Sequence, residues 1–281
     1  MSEPLAAAEA AIRTGDPAAA LASLTAAVRG KPADPKLRVF LAQLLCVLGQ
    51  WERAHTQLNV VADLDPQTAN MREMVGHALR CEVLRKAVFD GRRTPMVFGQ
   101  PDQWLALLIE SLLQLGGGDT AQAADLARRA FDDAPATSGQ INGEPFEWIA
   151  DADSRLGPVL EAAINGRYYW VPFSRISTIS FEAPTDLRDN VWLPAQVTFA
   201  NGGEVIAMVP TRYPGSEASA DGLIQLARKT EWTDAGNDRF FGLGQRVLVT
   251  DQGEHDLLSV RLIELQPVAS GDDASEASAD G

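Results

Sequence analysis

Side chains that could carry out chemistry are few and scattered in this chain of 281 residues. The three histidines, His55, His77 and His255, lie far apart, and none belongs to an HExxH or similar metal-ligand spacing. No Gly-x-Ser-x-Gly elbow for a nucleophilic serine is present. The sequence therefore predicts a non-enzymatic protein with no catalytic residues, no metal site and no cofactor.

A polar block in the second half is a candidate for recognition. Asp186, Arg188 and Asp189 stand just before Trp192. The charged groups either form a recognition patch, or the two aspartates shape a turn and Arg188 pairs with a carboxylate to lock the entry of a strand. We favour the structural role, because Asp before a strand is ordinary turn chemistry.

A second block contains Arg212 and Tyr213, followed by Pro214 and Gly215. Pro and Gly in succession are typical of a turn. We expect the Tyr213 side chain to clamp this turn rather than to contact a partner.

The elements of the front half repeat. Landmarks from Gly15 to Pro32 recur 34 residues later from Gly49 to Pro66, and a third copy runs from Gly118. This period, with small residues and a closing Pro, is typical of tetratricopeptide-like helix pairs.

The inner helices of such arrays commonly bind a helix or an extended segment in a groove. The candidate partner-binding residues on them are Leu5, Glu9, Ile12, Val39, Gln43, Cys46 and Val47. The alternative is that these residues pack against a long helix predicted over residues 67–90.

From Tyr168 onwards the pattern changes to short runs of aromatic and β-branched residues separated by turn residues. Asn201-Gly202 predicts a hairpin between residues 192–199 and 204–209, and Gln252-Gly253 predicts a second one. The fold class is therefore α+β, with a small, mostly antiparallel β barrel or sandwich after the helices. The predicted divisions are a helical domain (1–135), a connecting segment with a bridging helix near 152–165 (136–165), the β domain (166–267) and a disordered acidic tail (268–281).

The amino-acid composition limits which classes of partner and which cellular compartment we expect. The formal net charge of −14 argues against nucleic acid or an anionic membrane surface as the main partner. Two scattered cysteines, Cys46 and Cys81, indicate a reducing compartment. No basic start of a signal peptide and no apolar run of about 20 residues are present, so we expect a cytoplasmic protein.

Three blocks of the second half occur in a specific order. They are YYWVPFSRISTISFEAPTDLRDNVWLPAQVTFANGG (168–203), VPTRYPGSE (209–217) and GLGQRVLVTD (242–251). In this order they resemble the ImpE/TagJ family, and the resemblance extends over residues 1–267. The family's usual Asp-Leu-Arg-Asp-x-x-Trp block is identified here as residues 186–192.

The resemblance implies a cytoplasmic, non-enzymatic adaptor of bacterial type VI secretion. It implies binding to the N-terminal helix of the small sheath subunit, and a link to sheath disassembly by a ClpV-type AAA+ unfoldase, through direct contact or indirectly through the sheath. Two alternatives stay open. One is an enzyme with a site in the interdomain cleft around Asp186, Arg188 and Asp189. The other is a structural scaffold that self-associates through Trp104 and its apolar neighbours.

Overall fold

Helices form the front half of the chain. The computed structural model describes residues 3–98 and 100–266. Its helices before the β region are α1 (Glu3–Arg13), α2 (Pro17–Gly30), α3 (Pro35–Val47), α4 (Trp51–Leu64), α5 (Ala69–Phe89), α6 (Gln103–Gly116) and α7 (Thr120–Asp133). Helices α1/α2, α3/α4 and α6/α7 pack as pairs, and the longer α5 stands between the second and third pair. The predicted tetratricopeptide-like organisation is therefore confirmed.

The landmark residues of the repeat are turn and cap residues. Gly15, Gly49 and Gly118 have φ angles of 82°, 64° and 88°, a left-handed conformation that favours glycine. Asp16 accepts the backbone N–H of Ala19 at 2.9 Å and so caps α2. Asp34 and Asp119 cap α3 and α7 in the same way. Each cap typically contributes about 1 kcal/mol to helix stability.

The second half is built from antiparallel strands and one short helix. The strands are β1 (Gly139–Ile141), β2 (Glu144–Phe146), β3 (Ile149–Asp151), β4 (Val159–Ile164), β5 (Arg167–Pro172), β6 (Ile176–Phe181), β7 (Trp192–Phe199), β8 (Glu204–Pro210), β9 (Thr230–Asp234), β10 (Phe240–Gly244), β11 (Val247–Thr250), β12 (Gly253–Asp256) and β13 (Leu262–Leu265), and the helix is α8 (Gly222–Gln225). They form an open eight-stranded sheet in the order β2-β1-β13-β6-β7-β8-β4-β5, a three-stranded sheet β12-β11-β3 and the hairpin β9-β10. The stacked sheets are sandwich-like, as predicted, and no closed barrel is present in the described ranges.

The predicted bridging helix near 152–165 is wrong, because residues Val159–Ile164 form strand β4. This strand is buried on both faces, so its sequence VLEAAI shows no alternation of apolar and polar residues. The turn after it is Asn165-Gly166, with φ angles of 50° and 75°, which joins β4 to β5 as a tight hairpin. The predicted hairpin around Asn201-Gly202 is confirmed, with strands β7 and β8 on either side.

Successive residues of β4 face two different cores. Val159 and Ala163 belong to a cluster shared with the helices, and Leu160 and Ala162 belong to a second cluster shared with the three-stranded sheet. The eight-stranded sheet is therefore the middle layer between the helices and the three-stranded sheet. The predicted acidic tail at 268–281 lies outside the described residues. Within those residues, no helix has the length and apolarity needed to cross a membrane.

We expect Gly116→Ala to destabilise the fold, although Ala has the higher helix propensity. A Cβ at Gly116 would lie 2.3 Å from the carbonyl oxygen of Asp90 and 2.6 Å from the Cα of Gly91. Backbone atoms cannot rotate away, so we expect a loss of about 2 kcal/mol, more than the propensity gain of about 1 kcal/mol.

Gly30→Ala is the matched control for that variant. Gly30 is also helical, but a Cβ there would have no neighbour within 4 Å. We expect Gly30→Ala to gain about 0.5 kcal/mol. Urea denaturation of both variants checks the pair, and equal stability of Gly116→Ala and the wild type would contradict the close backbone contact of Gly116 with Asp90 and Gly91.

Candidate functional site

Arg212 joins the β half to the helices. Its Nη1 donates to the carbonyl oxygen of Val47 at 2.7 Å, and its Nη2 donates to that of Cys46 at 3.1 Å. These carbonyls lie at the end of α3, where the C=O groups of a helix lack N–H donors from a following turn and carry a partial negative charge. Burial lowers the pKa of Arg212 to about 10, so the guanidinium keeps its charge at neutral pH.

Arg228 makes an equivalent contact with the first repeat. Its Nη1 donates to the carbonyl oxygen of Ile12 at 2.7 Å, at the end of α1. A Cβ at Gly222 would lie 2.0 Å from the carbonyl oxygen of Gly15, so the backbones of these two segments are in direct contact. The segment 211–229 therefore caps the inner helices of both N-terminal repeats.

Behind Arg212 lies a buried ionic network centred on Glu161 of β4. Arg85 of α5 donates from Nε to Glu161 Oε1 at 2.7 Å and from Nη2 to Glu161 Oε2 at 3.0 Å. The same Nη2 donates to the carbonyl oxygen of Arg212 at 2.9 Å. The Tyr168 hydroxyl also donates to Glu161, and Arg246 pairs with it. Helix α5 and the β4–β5 hairpin therefore meet at this carboxylate, and the 211–229 segment is connected to it through Arg85.

Tyr213 closes the other end of the network. Its hydroxyl donates to Asp151 Oδ1 at 2.9 Å and accepts the Val247 N–H at 3.1 Å. Burial raises the pKa of Asp151 to about 6, opposed by its ion pair with Arg246 at 3.1 Å. Burial also raises the pKa of Tyr213. Tyr213 therefore fixes the turn at 211–215 against the three-stranded sheet.

The charged groups of residues 186–189 form ion pairs and hydrogen bonds within their own turn. Asp189 Oδ2 accepts the backbone N–H groups of Thr185 and Asp186, both at 2.9 Å. Arg188 pairs with Asp189 at 3.1 Å and with Asp186 at 3.5 Å. This short turn packs on α3, where Arg188 borders the same small void as Val39, Gln43 and Cys46. These contacts are those expected if the two aspartates shape a turn and Arg188 pairs with a carboxylate, rather than those of an exposed recognition patch.

Trp192, which follows the turn, also connects the two halves of the protein. Its indole N–H donates to Glu82 Oε1 of α5 at 2.8 Å, and its ring lies 5.8 Å from that of Trp51. Glu82 in turn pairs with Arg85 at 3.5 Å. The side chain is almost fully buried, so it contributes to the junction and not to an exposed surface.

The predicted partner-binding residues divide by their burial. Leu5, Glu9, Val39 and Gln43 are half-buried. Ile12, Cys46 and Val47 are buried, since the 211–229 segment and α5 cover this end of the inner helices. These three residues cannot contact a partner in this structure, which corrects their assignment to a partner-binding surface. Trp104 is buried in the core as well, so its indole offers no surface for the self-associating scaffold.

Open cavities at the surface of the described residues include three of about 300 Å³ or more. One of about 420 Å³ lies between α4 and α5, and its wall carries the cationic side chains Lys86, Arg92 and Arg93. A second, of about 320 Å³, lies between α7 and β3 and is mostly apolar. A third, of about 300 Å³, lies between α5 and the β4–β8 edge beside His77. No group of three His, Cys, Asp or Glu side chains that could hold a metal occurs among the described residues.

Sequence reasoning missed the ionic network and the apolar cavity. A signal for the network was present, because Glu161 is the one charged residue in the apolar run VLEAAI and a carboxylate in such a run needs a partner. The apolar cavity had a weaker signal in Phe131 and Trp148, which lie far apart in the chain and meet only after folding.

The fold and this junction define an α+β protein in which a tetratricopeptide-like array is locked to an antiparallel β domain. A tetratricopeptide repeat model matches residues 11–77, and the model described as ImpE protein matches residues 143–264. The type VI secretion system accessory component TagJ from Pseudomonas aeruginosa is 48% identical over 262 residues, which cover 92% of this chain and 91% of TagJ. The chain belongs to the ImpE/TagJ family.

A solved structure shows the same fold. The crystal structure of protein VPA1032 from Vibrio parahaemolyticus matches with a TM-score of 0.84 at 24% identity. The match covers 93% of this chain and 98% of that protein. Both the helical array and the β domain therefore belong to the shared architecture.

Replacing Arg212 with Met should destabilise the protein far more than replacing Arg228 with Met. Both guanidinium groups cap helix ends, but Arg212 is buried and Arg228 is exposed to solvent. We expect Arg212→Met to lose about 3 kcal/mol, because buried carbonyl oxygens would lose their donors. Guanidinium denaturation measures both variants, and similar small losses would show that Arg212 does not hold the junction.

The two thiols should resist alkylation in the folded protein. Burial raises the pKa of Cys46 to about 12 and that of Cys81 to about 11, so little thiolate exists at about pH 8. We expect iodoacetamide to label neither residue in native protein and both after denaturation, as read by mass spectrometry. Rapid labelling of native Cys46 would contradict the closed contact between Arg212 and α3.

Proposed function

We propose that this protein is a non-enzymatic accessory component of a bacterial type VI secretion system. It acts as an adaptor that binds the N-terminal helix of the small sheath subunit. The observation that carries this proposal is the 48% identity to TagJ across 92% of the chain. The tetratricopeptide-like array supports it, since such repeats commonly bind helical segments of other proteins.

The geometry favours an adaptor over the enzyme alternative. Asp186, Arg188 and Asp189 pair with one another and with backbone groups. A catalytic site needs an acid, base or nucleophile that faces space for a substrate. The void beside Arg188 is only about 10 Å³ in volume, too small for a substrate.

The remaining parts of the proposal concern the setting in which the adaptor works. It acts in the cytoplasm and is linked to sheath disassembly by the ClpV-type unfoldase. Neither nucleic acid nor membrane is a partner, because a surface with a net charge of −14 repels phosphate-rich polymers and anionic lipids.

Titration of the full chain with a synthetic N-terminal helix of the small sheath subunit tests the proposal. We expect saturable one-to-one binding in isothermal calorimetry, with a micromolar or smaller Kd, roughly −8 kcal/mol. A scrambled peptide of the same composition is the control and should release no binding heat. No heat from the authentic peptide, together with no competition by intact sheath, would contradict the adaptor function.

A further inference from the structure

The cavity of about 420 Å³ between α4 and α5 has a cationic wall. The side chains of Lys86, Arg92 and Arg93 line it, whereas no Lys or Arg lines the cavity beside α7 or the one beside His77. Val83 also lines it and is 65% exposed. Because the chain as a whole carries a formal net charge of −14, this group of cations is a local exception.

The three cations outnumber the carboxylate that they share. Asp90 pairs with Lys86 at 3.0 Å and also with Arg92. Among the described residues, Arg93 has no carboxylate within 4.0 Å. The cavity therefore keeps an excess of positive charge that can attract an anionic group.

Glu82 lines the same cavity but does not cancel this excess. Its Oε1 accepts the indole N–H of Trp192 at 2.8 Å, and its Oε2 lies 3.5 Å from Arg85. The Glu82 side chain is only 11% exposed. Its charge is thus committed to the junction between the helices and the sheet.

The backbone fixes the two arginines at the end of α5. The carbonyl oxygen of Ala87 accepts the backbone N–H groups of Arg92 at 2.9 Å and Arg93 at 3.2 Å. Gly91, with a φ angle of 67°, turns the chain out of the helix before them. Both side chains are exposed to solvent. The site is therefore built before any ligand arrives, which lowers the entropic cost of binding.

The acidic tail at 268–281 has the complementary charge. It contains Asp272, Asp273, Glu276 and Asp280, and no Lys or Arg. Apart from Val268, its other residues are Ala, Ser and Gly. Four carboxylates among small side chains can approach several cations without steric conflict.

The start of the tail lies on the same side of the sheet as the segment that leads from the cavity. Glu264 of β13 and Thr198 of β7 both stand opposite Thr178 of β6. Neighbouring strands are about 4.8 Å apart, so β13 and β7 are separated by roughly 10 Å at this level. The last strand before the tail is therefore close to the end of β7.

The end of β7 is in turn close to the cavity along the chain. The ring of Phe199 lies 5.0 Å from that of Phe98, and Arg93 precedes Phe98 by five residues. Together these steps place Arg93 at most roughly 40 Å from Gln266. Asp280, at about 3.4 Å per extended residue, can lie up to roughly 48 Å from Gln266. The tail is long enough to bring its carboxylates to the cavity.

We propose that the acidic tail docks in this cavity of its own chain, with its carboxylates facing Lys86, Arg92 and Arg93. A tethered segment is typically present at an effective concentration on the order of millimolar, so weak charge pairs suffice to occupy the site. The docked tail closes the cavity to acidic segments of other proteins and so acts as a built-in competitor. This contact does not involve the sheath helix, so it stands or falls apart from the adaptor function.

The exposed arginines of α7 fit the tail less well. Arg128 pairs with Asp125 at 2.8 Å and with Asp132 at 2.9 Å, and Arg129 lies 3.8 Å from Asp125. These cations face as many carboxylates as there are guanidinium groups. Little positive charge is left there for a further acidic segment.

Zero-length crosslinking of the full chain tests the contact. A carbodiimide joins an amine to a carboxylate that touches it, and the lysines of the chain are Lys31, Lys36, Lys86 and Lys229. We expect the tail to be joined to Lys86 at least tenfold more often than to Lys31 or Lys36, as read by mass spectrometry of tryptic peptides. Those two lysines are the matched controls, since both are exposed and neither lines the cavity. Equal yields at the three lysines would overturn the proposal.

A mixture of isotope-labelled and unlabelled chains distinguishes the chain's own tail from that of a second copy. We expect crosslinked pairs of one isotope only, at a yield that does not change with protein concentration. Mixed pairs that increase with concentration would show that the tail docks on another molecule, which contradicts an intramolecular contact.

Arg93→Gln tests the charge of the cavity, and Arg72→Gln is its control. Arg72 is an exposed residue of the same helix, α5, that does not line the cavity, so both variants lose one positive charge. We expect Arg93→Gln to lower the yield between the tail and Lys86 about threefold, and Arg72→Gln to leave it unchanged. Added salt at about 0.5 M should also lower the yield in the wild type, because it screens exposed charges. An unchanged yield in Arg93→Gln, with circular dichroism like that of the wild type, would contradict charge-directed docking.

Discussion

The buried carboxylate of Glu161 is the group on which the arrangement of the protein depends. It pairs with Arg85 of α5 and with Arg246, which precedes β11, and it accepts a hydrogen bond from the Tyr168 hydroxyl. Arg85 also reaches the backbone of Arg212, which caps α3. An uncompensated charge in such a site typically costs several kcal/mol, so the helices and the sheet keep one relative position. The two halves therefore behave as one unit with a shared core.

This constraint changes what the repeats can offer to a partner. The ends of the inner helices α1 and α3 are occupied by Arg228 and Arg212, and α5 covers much of the remaining inner face. In a free-standing tetratricopeptide array, this concave surface is the usual binding site. In this protein the β domain packs against that surface. An open apolar cavity lies instead at the other end of the array, where α7 meets the three-stranded sheet.

Local patterns predicted those parts of the fold that depend on neighbouring residues. Gly15, Gly49 and Gly118 mark helix turns because only their backbone conformations close the pairs, and Asn201-Gly202 marks a hairpin for the same reason. Strand β4 escaped prediction, since burial on both faces removes the alternation by which strands are recognised.

The site depends on distant contacts, and these leave little trace in a single sequence. Val39 and Gln43 were predicted as surface residues from repeat geometry alone, and the sequence gives no sign that the turn at 186–189 packs beside them. Phe131 and Trp148 share a groove only because α7 crosses the face of β3. When tertiary packing brings side chains together, their spacing in the sequence does not reveal the contact, and only the folded structure shows it.

Hydrogen exchange of the full chain, with and without the synthetic sheath helix, tests the account most directly. Exchange reports local opening of backbone hydrogen bonds, so a bound helix slows it where it docks. We predict that saturating peptide slows exchange in one group of neighbouring surface segments and leaves the buried segments around Glu161 unchanged. No change anywhere at saturating peptide, or faster exchange around Glu161, would contradict a partner helix that binds a surface already fixed by this junction.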